Sequence, residues 1–258
     1  MNKRGPRRVL NAGSGRLHGG LDGKDWTEVR FDIDPRGAPD LFGSLSDMRG
    51  LIDDGIFDVL WSSHGIEPLH AHVVAPAFRE FTRVLKADGF ALVTCPDIGA
   101  IARFLTREGL EAVACNSPTG PIRPLDMLYG HAPWMAAGRA CMTHNAGLTA
   151  ERLGRVATEA GFAEMRVIEG STLDLWAALL MPRARLVEIA APFGGTEVAD
   201  CSWRPRSQAA KHLIPRSVSI RHSPAIVERP SRALLASARW IGGIQLLSED
   251  LAAGASAW

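Results

Sequence analysis

Two groups of residues near the start of the chain have the types and spacing needed to bind a nucleotide-like ligand. Gly13-Ser14-Gly15 directly follows the apolar run Arg8–Ala12. Glycines there permit a tight turn, and exposed backbone N–H groups can hydrogen-bond a polar ligand end. Asp32, with Asp34 just behind it, ends the next apolar run. A carboxylate at that place can accept hydrogen bonds from both hydroxyls of a ribose, so the pair predicts a nucleoside-binding site.

A second set of side chains is suited to proton transfer. The candidates for catalysis are His64, which follows an apolar run, and His131 and His144 further along the chain. Asp97 and Tyr129 are weaker candidates of the same kind. For each of them an ordinary surface or capping role is the alternative, and spacing alone does not decide between the two.

Metal binding is not predicted. On a helix, Glu67 and His70 would lie close together, but His72 would point elsewhere. The four cysteines lie far apart and form no CxxC pair, which also argues against a disulfide framework; they are Cys95, Cys115, Cys141 and Cys201.

The elements that must position these residues alternate between short apolar runs and amphipathic stretches, as in βαβ units. Apolar positions at helical spacing predict a helix over 71–86, followed by a break at Ala87-Asp88-Gly89. Strands separated by helices favour a parallel sheet with right-handed crossovers. The strands predicted in this half are residues 8–12, 29–33, 40–43, 57–61 and 90–95.

The rhythm changes after Pro96. Residues 98–147 contain helical pieces and a Pro/Gly-rich stretch without a clear strand, which predicts an insertion that acts as a lid. The alternation then resumes with a helix from Thr149, as N-cap, to about Gly161, and with strands over 164–169 and 172–181. The expected fold is a doubly wound, Rossmann-like α/β domain over 1–182, with a mostly parallel seven-stranded sheet.

Residues 183–258 are predicted to be a basic C-terminal extension. The stretch from Arg204 to Arg239 is rich in arginine and contains one glutamate, Glu228. A partly disordered arm, a segment that packs on a second copy of the chain, and a binder of acidic macromolecules are the open alternatives.

Three motifs occur in the order and spacing of a known family. Val9–Gly15 has the form LNxGSG, Phe57–Leu69 resembles FDxxxSxxxLEHL, and Arg83–Phe90 resembles RVLKPGG. Glu159–Phe162 adds the later EAGF pattern. The chain thus resembles the class I S-adenosylmethionine-dependent methyltransferases, of the type 11-like kind. The resemblance implies S-adenosylmethionine as cofactor and methyl transfer as activity.

The resemblance also implies roles for individual residues. Gly13 and Gly15 would approach the methionine portion and the ribose, and Asp32 would bind the ribose hydroxyls. Ser44, with Asp47 nearby, stands where the family commonly has an acid that meets the adenine amino group. Pro68 replaces the family's usual histidine. The full predicted cofactor-binding set is Asn11, Gly13, Ser14, Gly15, Asp32, Asp34, Ser44, Asp47 and, beside the sulfonium, Ser62 and Ser63.

By analogy with the family, the acceptor is expected to be an oxygen or nitrogen group of a small molecule or glycan-like compound. An NAD(P)-dependent oxidoreductase is one alternative, but His18 stands where its fingerprint requires a third glycine. A non-catalytic cofactor-binding protein that engages a partner is the other.

The composition is that of an ordinary globular protein. The chain has 258 residues, of which 46% are hydrophobic and 22% charged, and its formal net charge is +1. Neither the charge nor any apolar stretch argues for nucleic acid or a membrane as partner. Because no signal-peptide pattern is visible, we expect a cytoplasmic protein.

Overall fold

The computed structural model describes residues 5–13, 26–117 and 120–185. Ser14, Gly15, His18 and almost all of the predicted C-terminal extension lie outside these ranges. The described strands are β1 (Arg7–Ala12), β2 (Trp26–Asp32), β3 (Leu41–Phe42), β4 (Phe57–Ser63), β5 (Leu85–Pro96), β6 (Cys115–Ser117), β7 (Gly120–Ile122), β8 (Glu164–Glu169) and β9 (Asp174–Leu180). The α-helices are α1 (Val74–Val84), α2 (Ile98–Glu108), α3 (Pro124–Tyr129), α4 (Ala132–Ala136) and α5 (Ala150–Ala160).

Seven of the strands form one sheet in the order β3-β2-β1-β4-β5-β9-β8. The pairs from β3 to β5 are parallel, whereas β9 runs antiparallel to both β5 and β8. The predicted Rossmann-like fold with a mostly parallel seven-stranded sheet is therefore confirmed. The sheet order reverses between β1 and β4, which is the place where ligands bind in folds of this kind.

Alternation along the strands divides the apolar residues between the two faces of the sheet. One face carries the larger core, in which β1, β4 and β5 pack against α1 and α5. The other face holds a smaller cluster that includes Val9, Val59 and Phe90. Trp61 of β4 also lies on this second face, with its ring centroid 5.9 Å from that of Trp176 on β9.

The helix after the insertion begins and ends as its sequence predicts. The Thr149 side chain accepts a hydrogen bond from the Arg152 amide at 3.3 Å, so it is the N-cap of α5. At the other end Gly161 has a φ of 109°, the left-handed conformation that glycine adopts without strain.

Three local predictions were wrong. Ala87-Asp88-Gly89 does not break the chain between helix and strand, because β5 already starts at Leu85 and its pairing with β4 shifts register there. The helix before it begins at Val74, and residues 64–73 form turns. The insertion contains the hairpin β6–β7, whose three-residue strands are too short to show periodicity.

The segment between β3 and β4 is held to α1 by a buried acid. The Glu80 Oε2 atom accepts a hydrogen bond from the Met48 amide at 2.7 Å, and Arg83 donates to both carboxylate oxygens at 2.8 Å. Arg83 also donates to the Ile52 carbonyl and the Asp54 carboxylate. One ion pair therefore anchors a connection that contains no helix or strand of its own.

Within the described ranges, no helix has the length and apolar character needed to cross a membrane.

Candidate active site

The carboxyl ends of β1, β2, β4 and β5 meet at one edge of the sheet, and the amino end of the antiparallel β9 joins them there. Gly13, Asp32, His64 and Asp97, all singled out from the sequence, lie at the carboxyl ends of β1, β2, β4 and β5. The polar residues at these strand ends therefore lie at the edge of the sheet where ligands bind in folds of this kind.

The backbones that follow β1 and β4 cross in contact at the switch point. Gly13 has a φ of 75°, and a Cβ added to it would lie 2.8 Å from the Gly65 Cα atom. A Cβ added to Gly65 would lie 2.8 Å from the Ala12 carbonyl oxygen. Both positions thus require glycine. Because neither residue has a side chain, a ligand could approach the backbone closely at this crossing. The sequence motif indicated Gly13, whereas Gly65 was missed because no periodic glycine pattern includes it.

Asp32 ends β2 and is 8% exposed. Its Oδ1 atom accepts a hydrogen bond from the Asp34 amide at 2.7 Å, which fixes the carboxylate plane. The next residue, Ile33, is 59% exposed. An exposed isoleucine next to this acid provides an apolar surface for a flat ring, and Ile33 was not singled out from the sequence.

Asp34 turns away from this position toward Arg36. The Arg36 Nε atom donates to the Asp34 carboxylate at 2.8 Å, and this hydrogen bond outweighs desolvation and lowers the Asp34 pKa to about 2. Asp34 also caps the 3₁₀ turn Pro35–Gly37. The Asp34 side chain thus stabilises the turn that follows β2, residues 34–37.

Three further residues predicted to bind cofactor make contacts within the protein. The Asn11 side chain donates to the Glu28 Oε1 atom at 2.6 Å, inside the sheet. The Ser44 hydroxyl lies 2.9 Å from that of Ser46. The Asp47 carboxylate accepts from the Arg49 Nε atom at 2.8 Å, and this hydrogen bond lowers the Asp47 pKa.

The two serines at the end of β4 differ in their surroundings. Ser62 is fully buried, and within the described part of the chain its hydroxyl has no hydrogen-bond partner. A Cβ on Gly65 would lie 2.8 Å from this hydroxyl oxygen, so Ser62 lies directly beneath the glycine crossing. The Ser63 hydroxyl accepts from Thr94 Oγ1 at 3.2 Å.

His64 and Glu67 form a hydrogen-bonded pair at the end of β4. The His64 Nδ1 atom lies 2.8 Å from Glu67 Oε1, while Glu67 Oε2 accepts from the Ile66 amide at 3.0 Å. The histidine side chain is 53% exposed and the glutamate 3%. Desolvation alone would lower the pKa of His64, but the Glu67 carboxylate and the charge of Asp174 outweigh it, so the pKa is raised. Glu67 is thus the partner of His64 and not of His70.

Two more carboxylates line the same edge. The Asp97 Oδ1 atom accepts from the Gly99 amide at 2.8 Å and is the N-cap of α2. Asp174, at the start of β9, accepts from the Thr172 hydroxyl at 2.8 Å and from the Trp176 indole at 2.7 Å. The polar contacts of Asp97 thus organise backbone, which is the alternative to catalysis that the sequence left open.

The insertion carries the other histidine candidates. The His131 ring lies edge-on to Trp134, with centroids 5.4 Å apart. The His144 Nδ1 atom lies 2.8 Å from the Met127 carbonyl oxygen, and its amide donates to the carbonyl of the exposed Tyr129. The contacts of both histidines thus lie within the insertion, whereas His64 alone belongs to a strand end.

Two sets of contacts between the insertion and the sheet edge involve residues singled out above. Near its end, the Asn145 and Ala146 amides donate to the Glu67 carbonyl oxygen at 2.7 and 3.0 Å. Further back, Arg36 donates to the Gly138 carbonyl at 3.3 Å, and the Cys141 thiol donates to Asp34 at 3.4 Å. The insertion therefore connects the segment behind Asp32 with the segment that holds His64.

Replacing Arg36 by glutamine should loosen its contact with the insertion. Because the hydrogen bond to the Gly138 carbonyl is lost, hydrogen exchange of the Met142 and Thr143 amides should accelerate. The exposed Arg49→Gln variant is the control. Equal exchange in both variants would contradict a role for Arg36 in holding the insertion.

No protein-family model matches the chain, and no curated protein matches its sequence. Among its structural neighbours are S-adenosylmethionine-dependent methyltransferases. A TehB-like enzyme from Corynebacterium glutamicum is 19% identical, with 68% of this chain and 82% of that chain covered and a TM-score of 0.43. A possible histamine N-methyltransferase from Thermotoga maritima is 16% identical over 68% of this chain and 81% of that chain, with a TM-score of 0.44.

A third neighbour, a possible exported protein from Bordetella parapertussis, is 16% identical over 70% of this chain, with a TM-score of 0.47. This chain spans 64% of that protein's length. The three identities and TM-scores are too low for these neighbours to indicate what this chain does.

Proposed function

We propose that the chain is an S-adenosylmethionine-dependent methyltransferase whose acceptor is an oxygen or nitrogen group of a small or glycan-like molecule. The observation that carries the proposal is the edge where the bare Gly13–Gly65 crossing lies at the switch point and Asp32 ends the neighbouring strand. A nucleoside needs a carboxylate for its ribose hydroxyls and close backbone approach for its polar tail, and the two features supply these.

The residues present fit this cofactor. Asp32 would hold the ribose, the exposed Ile33 would support the adenine ring, and Gly13 would border the methionine portion. The bound sulfonium would supply an electrophilic methyl group, and the protein's main task is then to hold an acceptor in line with it, which contributes about 7 kcal/mol or more in well-oriented cases. The motifs Val9–Gly15, Phe57–Leu69 and Arg83–Phe90, which resemble those of the class I methyltransferases, support the same assignment.

The nicotinamide alternative fits less well. A dinucleotide-binding sheet pairs two βαβαβ halves in the order 3-2-1-4-5-6. In this chain the antiparallel β9 lies between β5 and β8 instead. The fingerprint position held by His18 also lacks the required glycine.

Calorimetric titration with S-adenosylhomocysteine, NAD and NADP in parallel tests the proposal. Micromolar binding of S-adenosylhomocysteine alone is the expected result. Binding of a nicotinamide nucleotide would favour the oxidoreductase, and binding of none of the three would favour a protein that acts through a partner.

Asp32→Ala should weaken binding of S-adenosylhomocysteine by about 1.5–3 kcal/mol, the range for hydrogen bonds to a charged group. The same titration measures the effect, and the exposed Asp88→Asn variant should bind like the unchanged protein. Unchanged affinity in a folded Asp32→Ala protein would show that another group holds the ribose.

A further inference from the structure

The backbone of His64 is held in a conformation that its residue type seldom adopts. Its φ is 53°, in the left-handed region, and its amide donates to the Thr94 carbonyl of β5 at 3.0 Å. Histidine is one of the few side chains enriched there, although the conformation still costs free energy. In this conformation the His64 ring contacts Glu67, three residues further along the chain.

The hydrogen bond to Glu67 fixes which ring nitrogen carries the proton. An ionised carboxylate only accepts hydrogen bonds, so the Nδ1 atom must donate to the Glu67 Oε1 atom across the 2.8 Å contact. In the neutral ring the Nε2 atom then carries the lone pair. About half of the side chain is exposed, and the Nε2 atom is the ring nitrogen that the contact with Glu67 leaves unused.

We propose that His64 is the catalytic base of this site, positioned by Glu67, and that the acceptor is a hydroxyl group. This proposal rests on the proposed methyltransferase function. A carboxylate acceptor needs no base, whereas a hydroxyl must lose its proton as it is methylated. A buried carboxylate that orients a histidine is the arrangement by which proteins activate hydroxyls in acyl transfer.

The step balances without any further reactant. The hydroxyl oxygen of the acceptor forms the bond to the methyl carbon as its proton passes to the His64 Nε2 atom. The bond between that carbon and the sulfonium sulfur breaks, and its electron pair stays on the sulfur. The products are a methyl ether, S-adenosylhomocysteine and a protonated His64, which then releases its proton to solvent.

The charges around His64 favour taking up this proton. Glu67 contacts the ring directly, and the Asp174 carboxylate at the start of β9 adds a second negative charge that raises the His64 pKa. Asp97 and the buried Cys95 thiol are the other titratable groups at the end of β5. Transfer should therefore be slow below the raised pKa, where His64 is already protonated, and should increase as the pH rises through it.

Heteronuclear NMR of the imidazole nitrogens, in the protein with and without S-adenosylhomocysteine, tests the geometry directly. His64 should show a protonated Nδ1 atom and a pKa above 6.5, and in Glu67→Gln the pKa should fall. His70→Asn serves as the assignment control, because the exposed His70 ring stacks against that of His72. A proton on Nε2, or the same pKa in Glu67→Gln, would overturn the proposal.

Transfer of tritiated methyl groups to catechol, 4-hydroxybenzoate and glycerol tests the chemistry, with benzoate and thiophenol as acceptors that lack an alcohol or phenol hydroxyl. His64→Asn is the variant of choice, because asparagine tolerates the left-handed backbone and still donates to a carboxylate but cannot accept the proton. The turnover rate should fall roughly 10²- to 10⁴-fold, with the affinity for S-adenosylhomocysteine unchanged. Equal rates in the two proteins, or transfer only to benzoate or a thiol, would overturn the proposal.

The outcomes separate this inference from the proposed function. If the unchanged protein does not bind S-adenosylhomocysteine, the methyltransferase assignment is wrong, and the assignment of His64 as catalytic base is wrong too. If the protein binds the ligand but His64 has the wrong tautomer, only the base fails. If the protein binds the ligand but methylates none of the hydroxyl compounds, the proposed hydroxyl acceptor is overturned, and the base with it.

Discussion

Replacing Glu80 by alanine is expected to lower the free energy of unfolding by about 3–5 kcal/mol, the range for breaking a buried ion pair. The Glu80 side chain is 9% exposed, and its carboxylate accepts from the Met48 amide and from Arg83. Its removal leaves the Arg83 guanidinium beside the core without its main counterion. Denaturant unfolding measures the loss.

The matched control is Glu108→Ala, which removes an exposed ion pair with Arg107. Such pairs contribute about 0–1 kcal/mol, so this variant should unfold close to the unchanged protein. A loss for Glu80→Ala no larger than that for Glu108→Ala would show that the segment between β3 and β4 is held by other contacts.

The same pair gives a pH dependence with a definite sign. The Arg83 hydrogen bonds lower the pKa of Glu80 below 4.5 in the folded protein, although burial opposes the shift. A carboxyl whose pKa falls on folding stabilises the protein above its unfolded pKa, and this contribution is lost as the pH falls through the folded value. The difference in melting temperature between the unchanged protein and Glu80→Gln should therefore be largest near neutral pH and shrink below about pH 4.5.

Gly65→Ala is expected to weaken binding of S-adenosylhomocysteine between roughly 5- and 150-fold, which corresponds to the 1–3 kcal/mol cost of overpacking. The new Cβ would lie 2.8 Å from both the Ala12 carbonyl oxygen and the Ser62 hydroxyl, and 3.3 Å from the Gly13 Cα atom. Because two of these atoms belong to backbone, the segments after β1 and β4 must separate. Calorimetric titration measures the loss.

Two further variants identify the clash responsible. Gly5→Ala introduces a Cβ with nothing within 4 Å and should bind normally. Adding Ser62→Ala to Gly65→Ala removes the hydroxyl but leaves the Ala12 carbonyl, so the double variant should stay impaired. Full recovery in the double variant would show that the Ser62 hydroxyl, and not the backbone crossing, causes the loss.

The fold was predictable where side-chain type alone decides local structure. The β8 bounds follow from its apolar residues and flanking turns, and the start of α5 follows from the hydroxyl of Thr149. The start of β5 at Leu85 was not predictable, because Ala87-Asp88-Gly89 has the composition of a turn. Pairing with β4 overrides that local preference, and pairing depends on residues distant in sequence.

The candidate site was likewise predictable from the sequence only in part. The positions of Asp32 and Gly13 at the ends of β2 and β1 were predictable, because each comes at the end of an apolar run that forms a strand. The partnership of Glu67 with His64 was missed because helical spacing was assumed for residues that form turns instead. The close approach of Gly65 to Gly13 was missed because it joins two segments far apart in the chain.

The insertion is attached to the segment behind Asp32 through Arg36 and to the backbone of Glu67 through Asn145 and Ala146. A single movable element would thus border both the nucleoside end and the acceptor end of the proposed site. Neither ligand could then exchange without disturbing the contacts of the other, which favours compulsory-order kinetics over random binding.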